Sequence, residues 1–498
     1  MEQIEEEKQQ IQNKNQNQSE QINQNQKQEE NIADFKFDID EIINKSYNYP
    51  QKDMRHHRIS IAPMLDVTNP HWRFLFRLIS RQTTLYTEMI HANSLEHIRH
   101  TPRVQFSPCE HPVVFQLGGC DPKLLQEASK IVEEMGYDEV NLNCGCPSAK
   151  VQCGSFGCCL MKEPELVGEC MKSIRDGVQI PVTVKHRIGV DDIETFDFTY
   201  NFIKTVHEMS GVTHFQAHAR KAYLKGLNPA QNRNVPPLNY DRVIELKKAF
   251  PDLDISINGG FKTYQQVHEI LKPENKLLGC MIGRWAQESM FDLCDIDRQF
   301  YGVENPGYNR KEILQIYGAY GDKQLLQYPE LNIQKLVFPL LNLFSGERSS
   351  GVYRRFLSQG AHNIKKKYNK FSDFIDAAIK DYEPYNKEAM EKRPPKNDEQ
   401  AIDMMIKMKE RQEHVQKSIQ NNPSGKKKIK ASKYQQKMEA KVDKINQKKE
   451  MEKKMQNNEQ QENQIQSEQD IQNQEQKEQQ QQQHNEQIKN GDNQEVTA

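Results

Sequence analysis

Residues 143–161 read NCGCPSAKVQCGSFGCCLM and hold five of the chain's ten cysteines. Thiols crowded in this way can ligate a metal, pair as disulfides, or supply an acid or nucleophile. Zinc sites favour C-x2-C pairs or histidines at matching distance. A C-x-C, an isolated Cys153 and the adjacent Cys158 and Cys159 fit that pattern poorly, so no metal is expected. A second set of chemistry-bearing residues is spread more widely. Glu88, Gln116, Asn143, Lys185, His218, Asn258 and Arg284 fall at or near the ends of short apolar runs, with Gly259, Gly260 and Gly283 beside the last two. Amides and a lysine can hold a polar ring system, and glycine N–H groups with an arginine can cradle a phosphate. The pattern implies a phosphate-bearing cofactor.

Such residues need a common platform. Between residues 58 and 284 the apolar runs RISIAPM, LYTEMI, PVVFQLGG, EVNLNCGC, PVTVKHRIG, HFQAHAR, DISINGG and LLGCMIGR alternate with longer stretches such as PKLLQEASKIVEEMG and ELVGECMKSIRDG. In the longer stretches apolar residues recur every three or four positions, as one buried helical face requires. Eight strands alternating with helices predict a (β/α)8 TIM barrel, an α/β fold. A doubly wound open sheet is the competing architecture. It would place a Gly-rich turn after the first strand, and IAPML is not one. In a barrel all strand ends open on one face, so a residue set that closes seven of eight runs describes a shared site.

The 498-residue chain carries a net charge of -2 and is 36% hydrophobic, and the apolar deficit sits at its ends. Gln, Asn and Glu dominate both termini, a composition that cannot bury enough apolar surface to offset the entropy of ordering. The expected organisation is a disordered tail at 1–34, a barrel at 55–304, a helical domain at 307–385 and a Lys/Gln/Glu-rich low-complexity tail at 386–498. No apolar run is long enough to span a bilayer. The N-terminus has no basic-then-apolar leader. The reading is a cytoplasmic, monomeric protein with no membrane partner, in which disulfides are disfavoured. The segment NIQKLVFPLLNLF places Leu336, Leu340, Leu341 and Phe344 together, with a break at Pro339. Lys335, Arg348, Arg354, Arg355, Lys365, Lys366 and Lys367 add a basic surface after the barrel.

The motifs APML, YTEM, QLGG, NLNCGCPS, GCCLM, VTVKHRIG, HARKAYLKGLNP, SINGG and IGR, in this order, resemble those of the tRNA-dihydrouridine synthase family, its A-type subgroup in particular. The likeness resumes at LLNLFSGERSSGVYRRFLSQGAH, similar to the family's C-terminal helical domain. The resemblance implies an FMN-binding barrel that uses NADPH to reduce a tRNA D-loop uridine, at position 20 or 20a, to 5,6-dihydrouridine. It implies that Ala62, Pro63 and Met64 hold the flavin, and that Gln116, Lys185 and His218, with Asn143, meet its ring and ribityl regions. Asn258, Gly259, Gly260, Gly283 and Arg284 would line its phosphate end. Glu88, Arg220, Arg354 and Arg355 are assigned to the RNA substrate.

That reaction needs hydride at C6 of the uracil and a proton at C5, and a thiol with a pKa of about 8.5 stays protonated to supply it. The motif register puts the acid on Cys159, just before Leu160 and Met161; the adjacent Cys158 is its competitor. Cys146, in the GCPS turn, reads as structural, and Cys144, Cys153 and Cys158 as small soft fillers. Lys185 would place positive charge against the reduced flavin. Two other readings use the same residues: a small-molecule flavin oxidoreductase of dihydroorotate dehydrogenase type, and a tRNA-binding protein that no longer catalyses.

Overall fold

The computed structural model describes residues 37–45, 54–148, 151, 154 and 156–421. The expected tail at 1–34, the Lys-rich stretch beyond residue 421 and Cys153 lie outside the described residues. Nine strands form one sheet: β1 (Ile59–Ile61), β2 (Leu85–Tyr86), β3 (Ile90–His91), β4 (Val113–Gly118), β5 (Glu139–Cys144), β6 (Val182–Arg187), β7 (His214–His218), β8 (Asp254–Asn258) and β9 (Gly279–Ile282). Each pairing is parallel, in the order β1-β9-β8-β7-β6-β5-β4-β2, with β3 also on β4. Thr84 closes the ring: its carbonyl accepts from the Ile61 N–H at 2.8 Å and its N–H donates to the Ile59 carbonyl at 3.1 Å. The eight predicted runs are thus the eight staves of a TIM barrel. The run LYTEMI is the one broken stave, supplying β2 and β3 on either side of residues 87–89.

Helices follow the strands because their sequences carry both a start signal and a face. At Pro122–Glu134 the Asp121 carboxylate accepts from the Lys123 and Leu124 N–H groups, proline occupies the first turn, and Leu125, Ala128, Ser129 and Val132 turn inward. Thr195 caps Phe196–Ser210, which ends at Gly211 with φ 69°. Strand alternation then sorts the barrel into two layers. Val113, Phe115, Leu117, Val140, Leu142, Val184, Phe215, Ile255 and Ile257 join the apolar layer between strands and helices. Cys144 lies in that layer too, fully buried. The residues between them, Gln116, Glu139, Asn141, Thr183, Gln216 and Ser256, fill the interior with hydrogen-bonding groups.

Beyond the barrel, helices Arg310–Gln327 and Phe371–Glu391 pack closely, because at Gly321 a side chain would meet the Phe371 ring. Tyr320 fastens this layer to helix Pro70–Arg77: its ring stacks on Phe74 at 3.9 Å and its hydroxyl meets His71 Nδ1 at 3.0 Å. The buried Arg310 guanidinium bonds the Leu343 and Ala389 carbonyls and Glu347, and lies 3.9 Å from the centroid of the Phe291 ring. Helix Ile333–Val337 stops before Pro339 and gives way to a tighter turn at Phe338–Asn342. The low-complexity tail expected from residue 386 starts too early. The chain kinks at Asn386 (φ -162°, ψ 67°), after Pro384, but stays helical to Glu391, and a further helix, Asp398–Asn421, buries Ala401, Met404 and Met408 at helical spacing.

Candidate active site

The C-terminal strand ends surround a cavity of about 630 Å³, a size suited to a cofactor. Ala62, Pro63, Met64, Gln116, Asn143, Lys185, His218, Asn258, Gly259, Gly260, Gly283 and Arg284 all line it, so every residue assigned to the cofactor comes to one place. Gly259 and Gly260 have φ of 131° and 77°, conformations that a side chain would strain. A Cβ at Gly260 would also strike Leu238. Arg284 and Arg233 stand at this end, the Arg284 guanidinium held by Asn234 Oδ1 and by the Arg233 carbonyl at 3.3 Å.

Deeper in, Lys185 Nζ donates to Asn258 Oδ1 at 3.2 Å, and the Asn258 amide donates to the Met281 carbonyl at 2.8 Å. Burial, with Arg187 close by, pushes the Lys185 ammonium down to about 7. His218 is held well below its ordinary value, first by burial and then by Arg187, Lys185, Arg220 and Arg284, and so stays a neutral imidazole.

The cysteine loop answers differently from its motif register. Cys146 lines the cavity; Cys159 and Cys158 do not. The Cys159 thiol is half-buried and donates to the Phe156 carbonyl at 3.0 Å, and burial raises its pKa. Cys158 is fully buried and pushed up to about 12 by the same cause. Cys158 holds Cys146 through its backbone. The Cys158 N–H donates to the Cys146 carbonyl at 2.9 Å. Gly157, at φ 78°, lets that approach happen, since its Cβ would lie 2.6 Å from the same oxygen. Asn143, at the end of β5, accepts from the Gly145 and Cys146 N–H groups at 3.1 and 3.0 Å. The nine cysteines among the described residues are free thiols.

The residues assigned to the substrate fall outside the cavity lining. Glu88 accepts from the Asp66 N–H at 2.6 Å and so braces the turn after β1, where Asp66 has φ 61°. Arg220 is buried and donates to the Pro236 carbonyl. Its Nε is buried without a hydrogen-bond partner among the described residues. Arg355 is exposed on helix Ser350–Gly360, away from the lining. Arg354 reaches the lining only through a relay: its guanidinium bonds Asn342 Oδ1 at 2.7 Å, and Asn342 donates to the carbonyl of Gln287, a lining residue, at 2.9 Å.

Sequence reading missed Arg187, Arg233 and Phe156, all at the cavity. Arg187 was legible: it lies two residues after Lys185 on β6, and a strand repeats its face every second residue. Its side chain donates to Gly145, Lys221 and Asn232 carbonyls at 3.1, 3.1 and 3.2 Å, tying the loops after β5 and β7 together.

A closed parallel barrel whose strand ends converge on one glycine-rimmed cavity with arginines at one end defines a TIM-barrel protein equipped to hold a phosphate-bearing ligand. The family model for dihydrouridine synthase (Dus) matches residues 60–380. Among curated proteins, the tRNA-dihydrouridine(20/20a) synthase of Vibrio cholerae serotype O1 is 43% identical over 305 residues, covering 61% of this chain and 91% of that protein. The enzyme of the same name from Salmonella typhi is 44% identical over 306 residues, 61% and 90%. That from Escherichia coli K12 is 42% identical over 322 residues, 64% and 92%. The chain belongs to the dihydrouridine synthase family. No helix among the described residues is long and apolar enough to cross a membrane.

Proposed function

We propose that the protein reduces a uridine in the tRNA D-loop, at position 20 or 20a, to 5,6-dihydrouridine, with FMN as cofactor, NADPH as reductant and Cys146 as the proton donor. The observation that carries this reading is the convergence of twelve cofactor-type residues and one thiol on a single cavity in a chain of this family. The fit to FMN rests on chemistry: a glycine pair with positive φ beside Arg284 and Arg233 suits a phosphate, and buried amides with Lys185 suit a polar ring.

Bound FMN would supply the two-electron chemistry, hydride to C6 of the uracil. The chain's own groups do the rest. Lys185 sets a cation where negative charge gathers on the ring system. Cys146 carries the proton for C5, and the thiolate left behind is reprotonated from solvent. Asn143, the Cys158 N–H and Arg187 fix the loop that aims it. A uridine must leave its stack to enter such a cavity, and the basic surface around Arg354 and Arg355 would hold the RNA while it does. We assign the protein to the cytoplasm as a monomer.

The test incubates purified protein with NADPH and unmodified tRNA, then maps digested RNA by mass spectrometry. A gain of two hydrogens confined to one D-loop fragment is expected. A yellow, NADPH-oxidising protein that leaves tRNA unchanged would point to a small-molecule flavoenzyme. A colourless protein that binds tRNA would point to a non-catalytic one.

A further inference from the structure

The polar interior of the barrel connects the cavity to its floor through one unbroken chain of hydrogen bonds. The Gly145 and Cys146 N–H groups donate to Asn143 Oδ1, and Asn143 Nδ2 donates to Gln116 Oε1 at 2.8 Å. Gln116 Nε2 donates to Asn141 Oδ1 at 2.7 Å, and Asn141 Nδ2 to Thr183 Oγ1 at 2.9 Å. The Thr183 hydroxyl donates to Glu139 Oε1 at 2.5 Å, while His57 Nε2 meets Glu139 Oε2 at 2.7 Å. Glu139, Asn141, Thr183 and His57 are each at most 1% exposed. His56, His57 and Glu139 also have metal-ligand spacing, but both oxygens of Glu139 are already engaged within the chain.

An amide can face either way, since one end donates and the other accepts; a carboxylate only accepts. The terminal Glu139 therefore sets the sense of the links above it, together with Gln216, whose Oε1 accepts from the same Asn141 Nδ2 at 2.7 Å. Thr183 must donate downward, so Asn141 must turn its NH2 to Thr183 and its oxygen to Gln116. Gln116 then turns its oxygen to Asn143, and Asn143 is left with its oxygen toward the Cys146 loop. Reversed, Asn143 would present NH2 to two N–H donors, and the loop would lose its anchor.

We propose that Glu139 and Thr183, on the barrel floor, are positioning residues that orient the Asn143 amide and through it Cys146. This rests on the reading of Cys146 as proton donor. Buried networks of this kind rigidify what they hold when every member is satisfied.

Thr183→Val removes the hydroxyl at nearly constant volume, Thr183→Ser restores it, and Glu139→Gln permits the reversed sense. Two steps are measured separately: reduction of bound flavin by NADPH, and its reoxidation by tRNA at saturation. In Thr183→Val and Glu139→Gln the second step should slow roughly tenfold or more, as misplacement of a reacting group does. The first step and the KM for tRNA should hold, and Thr183→Ser should recover the lost rate. Equal slowing of both steps, no slowing of either, no rescue by serine, or failure of both variants to fold would each overturn the proposal. If Cys146→Ala itself reoxidises normally with tRNA, the failure belongs to the proton-donor reading instead.

Discussion

Cys146 and Cys159 carry the same group and differ only in surroundings. Cys146 lines the cavity; the Cys159 thiol is turned to the Phe156 carbonyl. A missing general acid typically costs about 10²- to 10⁴-fold. Cys146→Ala should lose uridine reduction on that scale while flavin reduction by NADPH continues, and Cys159→Ala should turn over tRNA near the wild-type rate. Single-turnover assays with prereduced enzyme decide it; a silent Cys146→Ala would refute the assignment. Lys185 makes a second residue-scale prediction. In the free protein burial brings it to about 7, so it is charged below neutrality and increasingly neutral above. An anionic cofactor placed against it favours the charged form. FMN binding should therefore take up a proton at pH 8 but not at pH 6. Calorimetry in buffers of different ionisation enthalpy reads that uptake directly. Lys185→Met should abolish it, and pH-independent proton exchange would contradict it.

At the scale of elements, the site is one loop pressed onto another by a glycine. Gly157 has φ 78°, and a Cβ there would meet Val151 and the Cys146 carbonyl. Gly157→Ala must distort the turn, at a cost of order 1–3 kcal/mol in stability. The damage should fall on tRNA-dependent reoxidation, with flavin retained; an alanine variant with wild-type reoxidation kinetics would show that the close approach is dispensable. The same loop explains what was legible in the sequence. Strand ends could be read because a polar residue closing an apolar run is a local signal, and Gln116, Asn143, Lys185, His218 and Asn258 were found this way. Cys146 could not be ranked above Cys159 by spacing, because the turn between them is set by Gly157 and by a hydrogen bond from the Cys158 N–H back to residue 146. Glu88 and Arg220, read from the same kind of signal, stand outside the cavity lining. Each is polar and stands near a strand end; Glu88 takes the Asp66 N–H, and Arg220 gives one N–H to the Pro236 carbonyl.

Over the whole molecule, the helical layer reaches the cavity's rim through Asn342, which donates to the carbonyl of the lining residue Gln287. Its existence was legible from apolar spacing, including the break at Pro339. Its packing on the barrel was not, since Tyr320 on Phe74 joins residues far apart in the chain. The link Arg354–Asn342–Gln287 carries a cation to within one side chain of the cavity lining, and Arg355 stands exposed beside it. Cations that neutralise phosphates contribute to affinity through released counterions, so removing one such cation reduces the salt slope by roughly 0.7 to 0.9. Arg354→Glu with Arg355→Glu should raise the KM for tRNA steeply at low salt and flatten its dependence on salt concentration. Flavin reduction by NADPH, which involves no RNA, should not change. The mutant's deficit should shrink as salt rises, because screening weakens in the wild type the same attraction that the mutant lacks. A KM and salt slope equal to wild type would mean that the RNA reaches the cavity along another face, and the rim of Arg103 and His91 across the same opening would be the next surface to reverse in charge.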